Sequence, residues 1–245
     1  MIRISAVSYT NTKPFLFGLE HSQFKNQIDL TIDYPALCAQ KLIEDKVDIG
    51  LVPVAAILKL KEYHILSDYC IGASGKVNSV FIFSNCPIEE ADYIQLDPQS
   101  RSSNNLALVL LKNFWKVNPI KILEADDYGQ STDSKTAFVQ IGDRTFGKKN
   151  DYPYVYDLAE EWYKFTGLPF VFAAWVSNKK LSEEFVEELN AALKLGLDSR
   201  EEVLKILPQY ANFDLRNYLY SDLDFVLNDS KKEALELFLQ YIKEL

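Results

Sequence analysis

Histidine is nearly absent: the chain of 245 residues holds two. His21 falls where the first helical pattern ends and His64 where a strand pattern begins, so the commonest general base is missing from every stretch that looks built for a ligand. Cysteine is almost as scarce. Cys38, Cys70 and Cys86 show no C-x-x-C spacing and no neighbouring histidine, which removes a zinc site and a disulfide framework and leaves reduced core residues; no metal is expected. No basic stripe offsets the net charge of −9, and Lys148-Lys149 is too short to act as one, so nucleic acid is not a partner. Apolar runs of membrane-spanning length are missing, and Met1 leads straight into a strand without an apolar signal-peptide core. The expectation is a cytoplasmic protein with no membrane partner. Repeats and low-complexity tracts are absent too. What is present is an ordinary globular composition, 48% hydrophobic and 25% charged, in a chain long enough to bury roughly three quarters of its unfolded surface as one domain or two lobes.

The stretch Ser8-Tyr9-Thr10-Asn11-Thr12-Lys13-Pro14 organises the rest. It ends an alternating strand (Ile2, Ile4, Ala6) and opens a helix from about Pro14 to Glu20, delivering hydroxyls, an amide and free helix N–H groups to one point. Thr12 is placed to cap the amides that follow, Pro14 lacks the donor that would be orphaned in the first turn, and Asn11 is free to point outward. Ile28–Tyr34 then alternates as a strand, a helical pattern runs from Leu37 to about Lys46, and Asp48-Ile49-Gly50-Leu51-Val52-Pro53 reads as a short buried strand. This is βαβαβ, hence a parallel sheet. A helix Ala55–Lys61, a strand His64–Ile71, a turn Gly72–Gly75 and a strand Asn78–Phe83 complete the first unit.

A second unit begins at Asn85-Cys86-Pro87. Its strand Tyr93–Leu96 runs into Asp97-Pro98-Gln99-Ser100-Arg101-Ser102-Ser103-Asn104 and a strongly apolar helix from about Asn105 to Lys116, repeating the handover of strand to helix with hydroxyls and an arginine at the junction. Ile120–Glu124 and Thr136–Ile141 are further strands, the latter ending in Gly142-Asp143. Tyr154 to Ser177 is dense in aromatic rings, most of which are expected in the core and not as ligand platforms. Amphipathic helices Leu181–Gly196, Arg200–Leu207 and Lys231–Leu245 are expected to pack against the first unit. The predicted fold is α/β with two lobes, residues 1–84 plus 176–245 and an inserted 85–175, holding a ligand cleft between them as in type 2 periplasmic-binding proteins.

Several of these stretches carry a resemblance. Ser8-Tyr9-x-Asn11-Thr12-x-Pro14, Asp48-Ile49-Gly50-Leu51-x-Pro53, Ser79-Val80, Ser100-Arg101-Ser102-Ser103, Ile141-Gly142-Asp143, Asp157-Leu158-x-Glu160-Glu161-Trp162 and Thr166-Gly167-Leu168-Pro169-Phe170-Val171-Phe172-Ala173 resemble the chorismate dehydratases, over nearly the whole chain and in order. Two positions depart from that pattern: Thr10 stands where the family usually has an apolar residue, and Ser102 where threonine is usual. The resemblance implies a hydro-lyase that removes water from chorismate to give 3-[(1-carboxyvinyl)oxy]benzoate, the first step of the futalosine route to menaquinone, without metal or organic cofactor. Asn11 and Ser79 are then the catalytic pair, and Ser8, Tyr9, Ser100, Arg101, Ser102, Ser103, Gly142 and Asp143 bind substrate. The base is either Asp143 or the substrate's own enolpyruvyl carboxylate, and Arg101 either contacts ligand or pairs within its lobe. The alternative is a non-catalytic solute-binding protein or sensor domain for a small carboxylate, which shares the fold but normally brings a signal peptide or a DNA-binding module.

Overall fold

In the computed structural model, which describes residues 1–122 and 134–245, the N-terminal alternation becomes β1 (Ile2–Val7), followed by α1 (Lys13–His21), β2 (Ile28–Asp33), α2 (Pro35–Ile43) and β3 (Ile49–Pro53). β1 pairs in parallel with both β2 and β3, as the βαβαβ pattern requires. Both helices begin with proline in the first turn, where its missing N–H costs nothing. The expected helix after β3 is a tighter 3₁₀ turn, Val54–Lys59, and β4 (His64–Ala73) runs on through Gly72 and Ala73 because β10 pairs there.

The next elements are β5 (Val80–Ser84), β6 (Tyr93–Gln95), α3 (Ser102–Leu110), β7 (Ile120–Ile122), β8 (Thr136–Ile141), β9 (Tyr154–Asp157) and α4 (Leu158–Thr166). Leu123 and Glu124, expected in the β7 strand, lie outside the described residues. α3 starts three residues earlier than its apolar pattern suggests, because Ser100 Oγ accepts the Ser103 N–H and the Asn104 amide bonds the carbonyls of Asp97 and Ser100. It ends in a π turn, Leu111–Trp115. The chain closes with β10 (Phe170–Ser177), α5 (Glu183–Asp198), α6 (Arg200–Ile206), the single turn α7 (Leu215–Asn217), a π turn Tyr218–Asp222, β11 (Asp224–Val226) and α8 (Asp229–Lys243).

Two sheets result, in the orders β11-β4-β10-β3-β1-β2 and β7-β6-β8-β5-β9. Sheet membership displaces both expected crossings. β5 pairs with β8 and β9, and β10 pairs with β3 and β4, so the chain leaves the first sheet after Ala73, not after Ser84, and re-enters it at Phe170, not after Trp175. The cause sits at Val77-Asn78: both N–H groups donate to the Asp157 carboxylate, and Asn78 turns left-handed at φ 61°, which breaks the extended chain just ahead of β5. Asp157 also accepts from Ala159 and Glu160, so one carboxylate caps α4 and pins the crossing.

Most of the aromatic segment is buried or half-buried, while Tyr154 and Tyr163 are exposed. Trp162, Phe170 and Trp175 are fully buried, and Trp162 packs on Phe165, Phe170, Phe238 and Tyr241 while its indole N–H donates to the Pro169 carbonyl. α5 lies along α1, as expected for the first lobe. α8 packs on β10 and also on α3 of the second lobe, so it bridges the two. Helices α1 and α5 meet backbone to backbone: a Cβ on Gly18 would run into the Ala192 carbonyl, and one on Gly196 into that of Pro14.

Candidate active site

The ends of β1 and β8, the crossing before β5 and the first turn of α3 converge on a cleft between the lobes that is open to solvent on one side. Its polar lining is Tyr9, Asn11, Thr12, Ser79 and the three serines Ser100, Ser102 and Ser103, with Gly142 at the rim. Pro35, Pro53, Val77, Ile141 and Phe172 are among its apolar walls. None of the described residues that line it is charged.

The floor comes from the 3₁₀ turn Thr10–Thr12 that follows β1. Thr12 caps nothing, contrary to expectation: its φ of −90° and ψ of −16° are already helical, and its hydroxyl donates instead to Asn11 Oδ1 at 3.1 Å. That bond fixes which way the Asn11 amide faces and leaves its Nδ2 hydrogens to donate. Tyr9 Oη donates to Gln99 Oε1 of the opposite lobe, and the Tyr9 ring lies over Gly142. Gly142 has a φ of +68°, and a Cβ there would stand 2.9 Å from the ring, so both backbone and packing require glycine. Its N–H donates to the Ser79 carbonyl at 2.8 Å, tying the end of β8 to the entry of β5.

From the second lobe, Ser102 Oγ accepts the Ala55 N–H at 3.2 Å across the cleft, which frees its own O–H to donate. Behind the serines stands Asp97, fully buried, accepting from Gln99 N, Ile141 N and the Arg144 guanidinium. It holds the β6–α3 loop against the end of β8. In the sequence Asp97 carries no sign of this role beyond the Asp-Pro pair that stands before a serine cluster.

Three expected contacts fall elsewhere. Ser8 is exposed and outside the lining, because its N–H is still paired with the Asp33 carbonyl as an extension of the β1–β2 ladder. Arg101 is also outside the lining, and its guanidinium forms no ion pair among the described residues; only its carbonyl is engaged, by the Asn105 amide. Asp143 does not line the cleft either. Its carboxylate accepts from the Thr10 N–H at 3.0 Å and from Thr10 Oγ1 at 2.9 Å, latching the second lobe to the turn that carries Asn11. The hydroxyl at position 10, one of the two departures from the family pattern, is half of that latch.

One residue behind the lining had no signal at all in the sequence. Tyr218, in the π turn, is fully buried and its Oη donates to Ser79 Oγ at 2.9 Å; the Asn11 amide lies within hydrogen-bond reach of the same phenol. Burial holds the phenol well above its ordinary range, so it stays protonated. Among the described residues no group of three or more His, Cys, Asp or Glu side chains is arranged to hold a metal ion. No helix of the described residues is long and apolar enough to cross a membrane.

Solved structures share this architecture at low identity. Protein AF1704 from Archaeoglobus fulgidus is similar over 99% of this chain and 97% of its own, with a TM-score of 0.74 at 15% identity. A Candida albicans gene product described as having the generic periplasmic binding protein fold matches over 100% and 94%, with a TM-score of 0.64 at 11% identity. The alkanesulfonate-binding protein of Xanthomonas axonopodis pv. citri, bound to MOPS, matches over 98% and 92%, with a TM-score of 0.61 at 15% identity. These establish the periplasmic-binding-protein-like fold. The family model for menaquinone biosynthesis matches residues 2–244, and the chain belongs to that family of enzymes.

Proposed function

We propose that the chain dehydrates chorismate to 3-[(1-carboxyvinyl)oxy]benzoate, as a hydro-lyase at the entry to the futalosine route. The observation that carries this reading is the cleft itself, where Asn11, Ser79 and the α3 serines face one space with apolar walls and no charged side chain. A cyclohexadiene with two carboxylates and one hydroxyl suits such a lining, the apolar walls facing the ring and the hydroxyls its polar groups.

The chemistry asks little of the protein. Loss of the C3 proton and the C4 hydroxyl makes the ring aromatic, so the driving force resides in the substrate. The first turn of α3 takes one carboxylate, with Ser102 and Ser103 as donors and the helix dipole adding about 0.3–1 kcal/mol. Each hydroxyl that bonds a charged oxygen contributes about 1.5–3 kcal/mol, enough to hold a dianion without a cation in the lining. Asn11 and Ser79 orient the reacting face. Asp143 has its carboxylate occupied by Thr10, which favours the enolpyruvyl carboxylate as the base. That carboxylate takes the C3 proton, the C3–C4 double bond forms, and the carboxylic acid so made passes the proton to the C4 oxygen as the C4–O bond breaks, so that the hydroxyl leaves as water and the carboxylate is regenerated.

Asn11→Ala tests the reading. The side chain has no core role, so the variant should keep its circular dichroism spectrum and lose nearly all turnover of chorismate. Full activity in a folded Asn11→Ala protein would remove the cleft from the reaction.

A further inference from the structure

We infer that Tyr218 is a positioning residue that sets the direction of the Ser79 hydroxyl, making Ser79 a hydrogen-bond donor toward whatever occupies the cleft. The inference rests on the proposed dehydration for its kinetic readout and on geometry for its origin.

A serine hydroxyl has one hydrogen and two lone pairs, and which of them faces a ligand depends on what its other neighbours demand. Tyr218 Oη lies 2.9 Å from Ser79 Oγ, and both side chains are buried. The phenol donates this bond: its oxygen faces the Asn11 amide, whose Nδ2 hydrogens donate to it, and its own hydrogen is directed at Ser79 Oγ. The phenol remains protonated because burial disfavours the phenolate, and Asp143 and Asp222 reinforce this by charge. With one lone pair of Ser79 taken by that proton, the serine's own hydrogen is left for the cleft.

The tyrosine is itself held firmly. Its ring lies edge-on to Phe146 and Phe213, with centroids 5.2 and 5.3 Å away. It opens a π turn, a geometry that recurs at functional sites. The far end of that turn is anchored to the same dipeptide: Asp222 Oδ2 accepts from the Asn78 side-chain amide at 2.7 Å and from that of Asn217 at 3.0 Å. The turn therefore grips Asn78 and Ser79 together, at the left-handed residue where the chain crosses between lobes. In the proposed reaction a donor at this point bonds the C4 oxygen as its bond to carbon breaks, which lowers the barrier without improving ground-state binding.

A double-mutant cycle tests this. Tyr218→Phe should lower kcat about 10- to 100-fold with KM changed less than about threefold, and should have less than about a threefold effect when Ser79 is already alanine. Additive losses in kcat would mean that the tyrosine acts on the fold and not through Ser79. Should Tyr218→Phe fail to fold, Asn78→Gly, which keeps the left-handed backbone and releases the other grip, runs through the same cycle with the same two outcomes. A measurement that needs no substrate separates this inference from the assigned reaction. Among the 14 tyrosines, labelled at Cζ, one should show a slowly exchanging hydroxyl that does not ionise on raising the pH to about 11 and that shifts in Ser79→Ala. A wild-type protein that leaves chorismate unchanged but shows this signal would defeat the dehydration alone. Absence of the signal, or its indifference to Ser79→Ala, would overturn the role of Tyr218 even if chorismate is consumed.

Discussion

Asp143 shows how a residue type can be right and its role hidden. In the sequence it follows a glycine at a strand end and qualifies equally as a base or a turn residue. Its partner Thr10 is 133 positions away, a separation no local pattern reveals. Because the carboxylate is spent on two Thr10 hydrogen bonds, Asp143→Asn, which keeps an acceptor, should retain most of the turnover at saturating chorismate and leave the acid limb of the rate profile in place. A general base removed by the same change would cost about 10²–10⁴-fold, so steady-state rates across pH decide between the two. Asn11 and the α3 serines were legible because they stand where strands hand over to helices, whereas Ser79, just ahead of β5, was legible only through the family resemblance. Tyr218 was not, because it lies between α6 and β11 in a stretch without hydrophobic periodicity.

Elements with a clear period were read to within a few residues, and the misreadings have local causes. α3 was started late because polar serines were taken as loop when they are its first turn, and β11 was missed because three residues carry no usable alternation. How closely α1 and α5 approach was likewise invisible, since a glycine inside a helix reads only as a weak position until its neighbour is known. Gly196→Ala should cost stability despite the better helix propensity of alanine, because its Cβ meets the Pro14 carbonyl and the helices must separate. Overpacking of this kind costs about 1–3 kcal/mol or more, and a thermal melt should show Tm lowered by several degrees. An unchanged or higher Tm would mean that the helices do not pack this closely.

At the scale of the whole molecule, two sheets and a cleft between them followed from the order of strand and helix patterns, while the crossings were displaced because only pairing assigns β5 and β10 to their sheets. The first sheet is tied at one end by a charged cluster. The nearly buried Asp48 accepts from the Arg3 backbone and guanidinium on β1 and from Lys179 after β10, and the Arg3 bond is the chief cause that holds its carboxyl below the usual carboxylate range. A depressed folded value means that this stability is complete above the unfolded value near 3.8 and is lost as pH falls below it. Asp48→Asn should therefore lose about 1–3 kcal/mol near neutral pH, with the gap to wild type narrowing below about pH 4. Urea melts at both ends of that range check it; a gap that widens in acid would contradict the assignment.

The central claim is that the neutral, hydroxyl-lined cleft performs a dehydration and not mere binding. Incubation of the purified chain with chorismate, followed by chromatographic separation of the products, tests it most directly. The account predicts loss of chorismate with equal formation of 3-[(1-carboxyvinyl)oxy]benzoate. Chorismate recovered unchanged, even if tightly bound, would contradict it.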